Sequence, residues 1–339
     1  MFDITHYHAV RRSAALVDRS DRGRLLLTGA DRASYLQGLL TNDIKALGPG
    51  GGCYAAWLTP QGRMIADLRV FELGEAMLVV LAGHVKDAVR DRLEQLVFSE
   101  DVQVADLAGT WAGFGLYGPT ASRVLAAAMG GGQALADHFA ALRPFQNERR
   151  QIDAAWIVVA ASDEIGIGGF DLFVERAHAD ALRACVTVAG AIDVAPDAVN
   201  VVRVESGVPE FGADMDPDTI PLEAGIEDRA ISFTKGCYVG QEVIVRVRDR
   251  GQGRVVRRLV GLRIDGAEVP RGGDRIVAGE RDVGRLTSAV LSPALGRPIA
   301  LGYVHRDFVE EDTELGVLRG DSRLRAVVAT LPFVPSAES

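Results

Sequence analysis

The sequence predicts an α+β chain of two or three domains that ends in an all-β unit. Three observations carry this. At 339 residues the chain is longer than one compact core usually organises. Strands and amphipathic helices alternate in two successive stretches. From about Gly253 onward, short apolar runs recur at regular spacing between Gly, Asp and Pro, the signature of a small barrel or two-sheet domain.

The first α+β stretch opens with "RGRLLLTG" (22–29), a strand. "ADRASYLQGLLTND" (30–43) then reads as a helix, with Thr28 or Asp31 placed to cap it and Leu36, Leu39 and Leu40 on one face. Three strands follow over 53–58, 63–72 and 76–81. Over 84–98, Val85, Val89, Leu93, Leu96 and Val97 recur at helical spacing. The second stretch repeats the order: strand 110–118, helix 119–129 with Pro119 suited to its first turn, strands 154–162 and 170–176, helix 177–191. "AVNVVRV" (198–204) reads as a further strand. "PFVPSAES" reads as a frayed end.

Composition narrows the function classes. Hydrophobic content of 48% with 24% charged residues is that of a folded protein. A net charge of −9 argues against wholesale binding to nucleic acid or anionic membrane. The N-terminal residues lack the apolar core of a signal peptide, and no run suits a membrane span. Cys53, Cys185 and Cys237 are far apart, with no metal-ligand spacing, so a reducing cytoplasm is expected and no stable metal site.

Four stretches could carry chemistry. In "KGCYVGQEV" (235–243), Gly236 and Gly240 free the backbone around Cys237, and Lys235 would favour its thiolate; the alternative is a small buried side chain. Cys185 and Cys53 read as packing residues. "RVESGVPEFGADMDPDTIPLEAGIED" (203–228) is long for a loop, and long ordered loops tend to be functional. There Glu205 could accept paired N–H donors from a heterocycle, or pair with Arg203 or another arginine. "RVRDRGQGRVVRR" (246–258) is a local concentration of arginine, either a solvated hairpin or an anion site for carboxylates, phosphate or RNA. In "TPQGRMIADLRVF" (59–71), Asp67 stands in an apolar strand, as an internal acceptor or a perturbed acid or base.

These stretches, with "LLLTGADRASYLQGLLTNDIKAL" and "DVGRLTSAVLSPALGRPIALGYV", resemble the folate-binding superfamily of the glycine-cleavage T-protein. More closely they resemble its YgfZ branch, whose signature matches Lys235, Gly236, Cys237, Tyr238, Gly240, Gln241 and Glu242. The resemblance implies a three-domain ring: two split ferredoxin-like α+β domains (1–24 with 108–200, and 25–107 with 201–245) and a C-terminal β-barrel (250–335). It implies that tetrahydrofolate or a one-carbon derivative binds in the central opening. Glu205 would hold the pterin, with Arg203, Tyr238, Gln241, Glu242 and Arg246 as further contacts. Asp67 would sit near the reacting folate nitrogen, although T-proteins often carry two acids where this chain has Ala66 and Asp67. The implied function is assistance to iron–sulfur client enzymes, including tRNA-modifying ones. Cys237 would be the working thiol and Lys235 would tune it. The alternative is an aminomethyl or methyl transferase of the T-protein type.

Overall fold

The computed structural model describes residues 2–152, 154–250 and 254–335. Three sheets organise them. A six-stranded sheet runs in the order Ile192–Asp193, Ala15–Asp18, Trp111–Tyr117, Gly169–Glu175, Ala155–Ser162, Asn147–Ile152. A five-stranded sheet runs Gly52–Leu58, Met64–Glu72, Met77–Leu81, Gly23–Thr28, Gln103–Asp106. The third closes on itself as a barrel: Arg257–Ile264, Arg297–His305, Arg281–Ser292, Arg275–Ala278, Glu314–Arg319, Ser322–Ala329. Closure leaves no barrel edge to cap, which suits strands this short.

Each sheet buries an apolar layer. Leu116, Ile157, Val159 and Leu172 of the six-stranded sheet face the helices Ala121–Ala128, Gln133–Ala140 and Ala179–Val188. Ala66, Leu68 and Val70 of the five-stranded sheet pack with Leu36, Val89 and Leu93 of the helices Arg32–Leu39 and Lys86–Gln95. The two sheets meet through Phe71, Leu78 and Val80 on one side and Val158, Ala160 and Phe173 on the other.

Several sequence expectations need correction. "AVNVVRV" is not a strand: Pro196–Glu205 is a helix. Its valines have strand propensity, but Pro196 sits at the first helical position with Asp197 in the first turn. Nearly the whole length is buried against the helix Ile4–Arg12 and the barrel, so packing overrides propensity. The segment 203–228 therefore begins inside a helix, and it contains two further helical turns, Pro221–Ala224 and Glu227–Ala230. The helix expected over 30–43 covers only Arg32–Leu39, and no side chain caps it; the Asp31 carboxylate instead accepts the Asp101 amide at 2.9 Å. Pro119 lies just ahead of the helix Ala121–Ala128 rather than in its first turn. The expected barrel start near Gly253 and the final serine-rich residues lie outside the described residues.

Candidate functional site

Strand alternation decides what the five-stranded sheet presents on its second face. With Ala66, Leu68 and Val70 turned to the helices, Asp67 and Arg69 project the other way. Ala56 stands opposite Asp67, and Tyr54 opposite Arg69. Asp67 is buried, and its Oδ2 accepts the Tyr54 hydroxyl at 2.9 Å. Its Oδ1 has no protein partner among the described residues. The Arg69 and Arg229 guanidinium groups lie 5.6 and 5.5 Å from the centre of the Tyr54 ring. Burial, then the Asp67 charge, push the Tyr54 hydroxyl well above its usual range, so it stays a donor.

Arg69 leads into a polar seam between the sheets. Glu164 Oε1 is approached by Arg19 at 2.5 Å, Arg22 at 2.9 Å and Arg69 at 3.4 Å. Burial opposes ionisation of Glu164, but the three guanidinium groups outweigh it and hold the carboxyl well below its usual range. Asp171 goes the other way. Burial and then the Glu164 charge push it up to about 6, although the Tyr117 hydroxyl donates to it at 2.9 Å. Arg22 also pairs with Glu210, and Arg229 with Asp163 at 2.8 Å. Asp67 thus faces the junction of both sheets and the segment that follows the helix Pro196–Glu205.

The "KGCYVGQE" stretch forms a turn clamped at both ends. Lys235 is buried, and its Nζ donates to the carbonyls of Gln37 at 2.7 Å, Leu40 at 2.6 Å and Asn42 at 2.9 Å, at the end of the helix Arg32–Leu39. An ammonium suits those orphan carbonyls. Burial lowers its pKa to about 8, with Asp43 opposing. Tyr238 is buried beside it, ring centre 5.2 Å from Nζ. Gly240 (φ +85°) presses on the hairpin before it: a Cβ there would lie 2.6 Å from the Thr59 carbonyl oxygen. Cys237 is exposed on this turn. The expectation that Lys235 tunes Cys237 is corrected, because its charge is spent on the helix end. Cys53 is buried close by: burial pushes its thiol up to about 12, and the Lys235 charge opposes that rise.

Glu205 and Arg203 do not join this turn. Glu205 is fully buried. Its carboxylate accepts the Tyr7 hydroxyl at 3.0 and 3.1 Å, Arg11 at 2.5 and 3.1 Å, and the Ser292 hydroxyl at 2.5 Å. Every lone pair that could meet a heterocycle is engaged by protein, so the geometry makes Glu205 a clasp between the helix Ile4–Arg12 and the barrel. Arg203 is buried too, bonded to Asp214 and the Val208 carbonyl at 2.6 Å each and to the Ser288 hydroxyl at 3.1 Å. Gln241 and Glu242 begin the short helix Gln241–Val245, and Arg246 is exposed just after it. Of the arginine-rich stretch, Arg257 pairs with Glu223 at 3.1 Å and Arg248 with Asp249 at 2.7 Å. Among the described residues no group of three or more His, Cys, Asp or Glu could hold a metal ion, and no helix is long and apolar enough to cross a membrane.

Sequence reasoning missed Tyr54, Arg69, Arg229 and the role of "TND". Thr41 Oγ1 donates to the Ala230 carbonyl and accepts the Ala56 amide, and Asn42 donates to the carbonyls of Tyr54 and Arg229, tying the 226–231 turn onto the sheet. The available signal was the two-residue spacing of Asp67 and Arg69 in one strand.

Two family models match the chain: the GCVT N-terminal domain over residues 3–235 and the glycine cleavage T-protein C-terminal barrel domain over 257–335. The aminomethyltransferase of Rubrobacter xylanophilus is 32% identical over 329 residues, covering 96% of this chain and 85% of its own length. That of Streptomyces coelicolor is 33% identical over 334 residues, covering 96% and 87%. The crystal structure of the glycine cleavage system aminomethyltransferase T from Bartonella henselae superposes with a TM-score of 0.86 at 25% identity, over 98% of this chain and 89% of that one. With both models matched in order and relatives aligned along almost the whole length, the chain belongs to the glycine cleavage T-protein family.

Proposed function

We propose that the chain binds a tetrahydrofolate at the Asp67 face and moves a one-carbon unit there, as a folate-dependent transferase of the aminomethyltransferase type. One observation carries this reading: Asp67 is a buried carboxylate with one oxygen fixed by Tyr54 and the other left without a protein partner. Such an oxygen suits an N–H or a developing positive charge on a ligand nitrogen. The donor set fits a folate in this respect, and the exposed Arg229 beside Tyr54 adds positive charge although it also pairs with Asp163. The folate would supply the one-carbon carrier. The chain's own contribution is to orient Asp67 and keep its surroundings dry. Ala66 does not weaken this reading: its position faces the helix-side core, so a second acid there would point away from the Asp67 face. Glu205 is not among the proposed contacts, because its carboxylate is already fully bonded.

The test is transfer itself. Formation of 5,10-methylenetetrahydrofolate from an aminomethylated lipoyl carrier protein is expected from the wild-type chain and is expected to fall about 100-fold in D67N, the scale of losing one transition-state contact. Tetrahydrofolate binding without turnover would leave folate in place and remove the transfer step.

One observation favours a second reading, that the chain belongs to the YgfZ branch and supports iron–sulfur clients through a thiol: Cys237 is exposed on a turn anchored by Lys235. In a strain lacking the gene, C237A would then fail to restore iron–sulfur enzyme activity while D67N would restore it in part. Full restoration by C237A would end this reading.

A further inference from the structure

A cleft of about 500 Å³ lies between the segment Gly212–Thr219 and the barrel, a size suited to a small organic molecule. Its barrel wall is irregular. In the Arg281–Ser292 strand, Val277 opposes Asp282 while Ile276 opposes Gly284, so Val283 is an extra residue. Without that bulge, Asp282 and Arg285 would project from opposite faces; with it they share one. Arg285 is in turn the cross-strand partner of Tyr303. Two opposite charges therefore reach one cleft wall, yet they are not paired with each other. Arg285 is exposed and has no carboxylate partner among the described residues, while Asp282, also exposed, accepts the Gly284 amide at 3.3 Å and meets a cation, Arg275, only loosely at 3.8 Å.

The other charges of the cleft are committed, except for one oxygen of Asp216. Asp214 is held by Arg203 and the Thr287 hydroxyl at 2.6 Å each, Asp216 accepts the Thr219 hydroxyl at 2.8 Å, and Arg257 pairs with Glu223. His305 pairs with Asp307 at 3.3 Å. What remains is one cation, Arg285, with Asp282 on the same face, the second oxygen of Asp216 on the opposite wall, and an apolar lining from Met215, Val256 and the Tyr303 ring.

We infer that this cleft binds a free α-amino acid with an apolar side chain, its carboxylate on Arg285 and its ammonium on Asp282. A simple anion would leave Asp282 uncompensated and repelling, and a simple cation would do the same to Arg285; a zwitterion satisfies both. Asp67 does not line this cleft, and the inference does not rest on the folate reading.

The test is calorimetric titration of the full chain with leucine, methionine, valine and phenylalanine. At least one is expected to bind saturably. For that amino acid, R285A and D282N are each expected to weaken binding at least tenfold. The amide derivative, lacking the carboxylate, is expected to bind weakly and to be indifferent to R285A. The N-acetyl derivative, lacking the ammonium, is expected to bind weakly and to be indifferent to D282N. Both side chains are exposed, so both variants are expected to melt as the wild type does. Saturable binding by none of the four would overturn the inference, and so would binding that neither substitution changes.

Discussion

Asp67 and Glu205 are both carboxylates in apolar surroundings, and both invite a ligand role when read from sequence. Asp67 accepts one hydroxyl and keeps an oxygen without a protein partner. Glu205 accepts two hydroxyls and a guanidinium from two distant parts of the chain, the helix Ile4–Arg12 and the barrel. Burial is the same sign in each case, so burial is not what separates a binding group from a clasp. The difference lies in the partner set: a carboxylate is available for chemistry to the extent that the fold has left its lone pairs unspent.

The largest expected effect tests the clasp. E205A leaves the Arg11 guanidinium facing a buried void and is expected to cost about 3–5 kcal/mol in urea unfolding, the range for breaking a buried ion pair by removing one partner. A cost under about 1 kcal/mol, together with lost tetrahydrofolate binding, would reverse the comparison and make Glu205 a ligand group. D67N is the counterpart. The substituted amide can still accept the Tyr54 hydroxyl through its carbonyl oxygen, so stability is expected to change by less than about 1 kcal/mol, while transfer falls by the factor of about 100 proposed above. A D67N protein that unfolds easily would place Asp67 with the clasps.

The contrast also explains what could be read from the sequence. The alternation in "MIADLRVFE" places Asp67 and Arg69 on one face and Ala66 on the other before any coordinates are known, because the period of a strand is fixed. The barrel and the two α+β sheets were legible for the same reason: their elements carry their own period and punctuation. Glu205 was not legible, since its partners Tyr7 and Arg11 are nearly 200 residues away and Ser292 nearly 90. The helix that carries it reads as a strand in the sequence, because valines favour strands locally and only packing on two sides makes a helix of them. Lys235 shows the same limit of sequence proximity. Sequence proximity to Cys237 suggested an electrostatic partner, whereas three carbonyls at a helix end some 200 residues earlier hold the ammonium.

A third carboxyl sharpens the comparison through pH. Asp171 is buried with a single hydroxyl donor and a like charge, Glu164, nearby. Its pKa is raised from 3.8 to about 6 in the folded chain, so the fold favours its neutral form. Its favourable contribution is complete below about pH 4 and is lost as pH rises through 6. D171N mimics the neutral form, so it is expected to match the wild type closely only below about pH 4 and to be the more stable by roughly half of the full difference at pH 5. At pH 8 it is expected to be the more stable protein, by up to about 3 kcal/mol. Glu164 titrates in both proteins, so the difference between their unfolding curves isolates Asp171. A D171N advantage that is the same at pH 5 and pH 8 would mean that the seam compensates Asp171 fully.

The smallest effect concerns the thiols, where the same rule predicts reactivity instead of stability. Cys237 is exposed and Cys53 is buried, with its thiol pushed up to about 12. C237A removes little packing and is expected to shift unfolding by less than about 0.5 kcal/mol. Iodoacetamide at pH 8, followed by peptide mass spectrometry, is expected to label Cys237 in the native chain and Cys53 only once the chain is unfolded. K235M tests whether the anchored lysine maintains that difference. Without the ammonium, the carbonyls of Gln37, Leu40 and Asn42 lose their shared donor, and the turn over Cys53 loses its tie to the helix end. Native-state labelling of Cys53 is then expected to rise in K235M while that of Cys237 stays as it was. Equal protection of Cys53 in both proteins would show that packing alone keeps the two thiols apart.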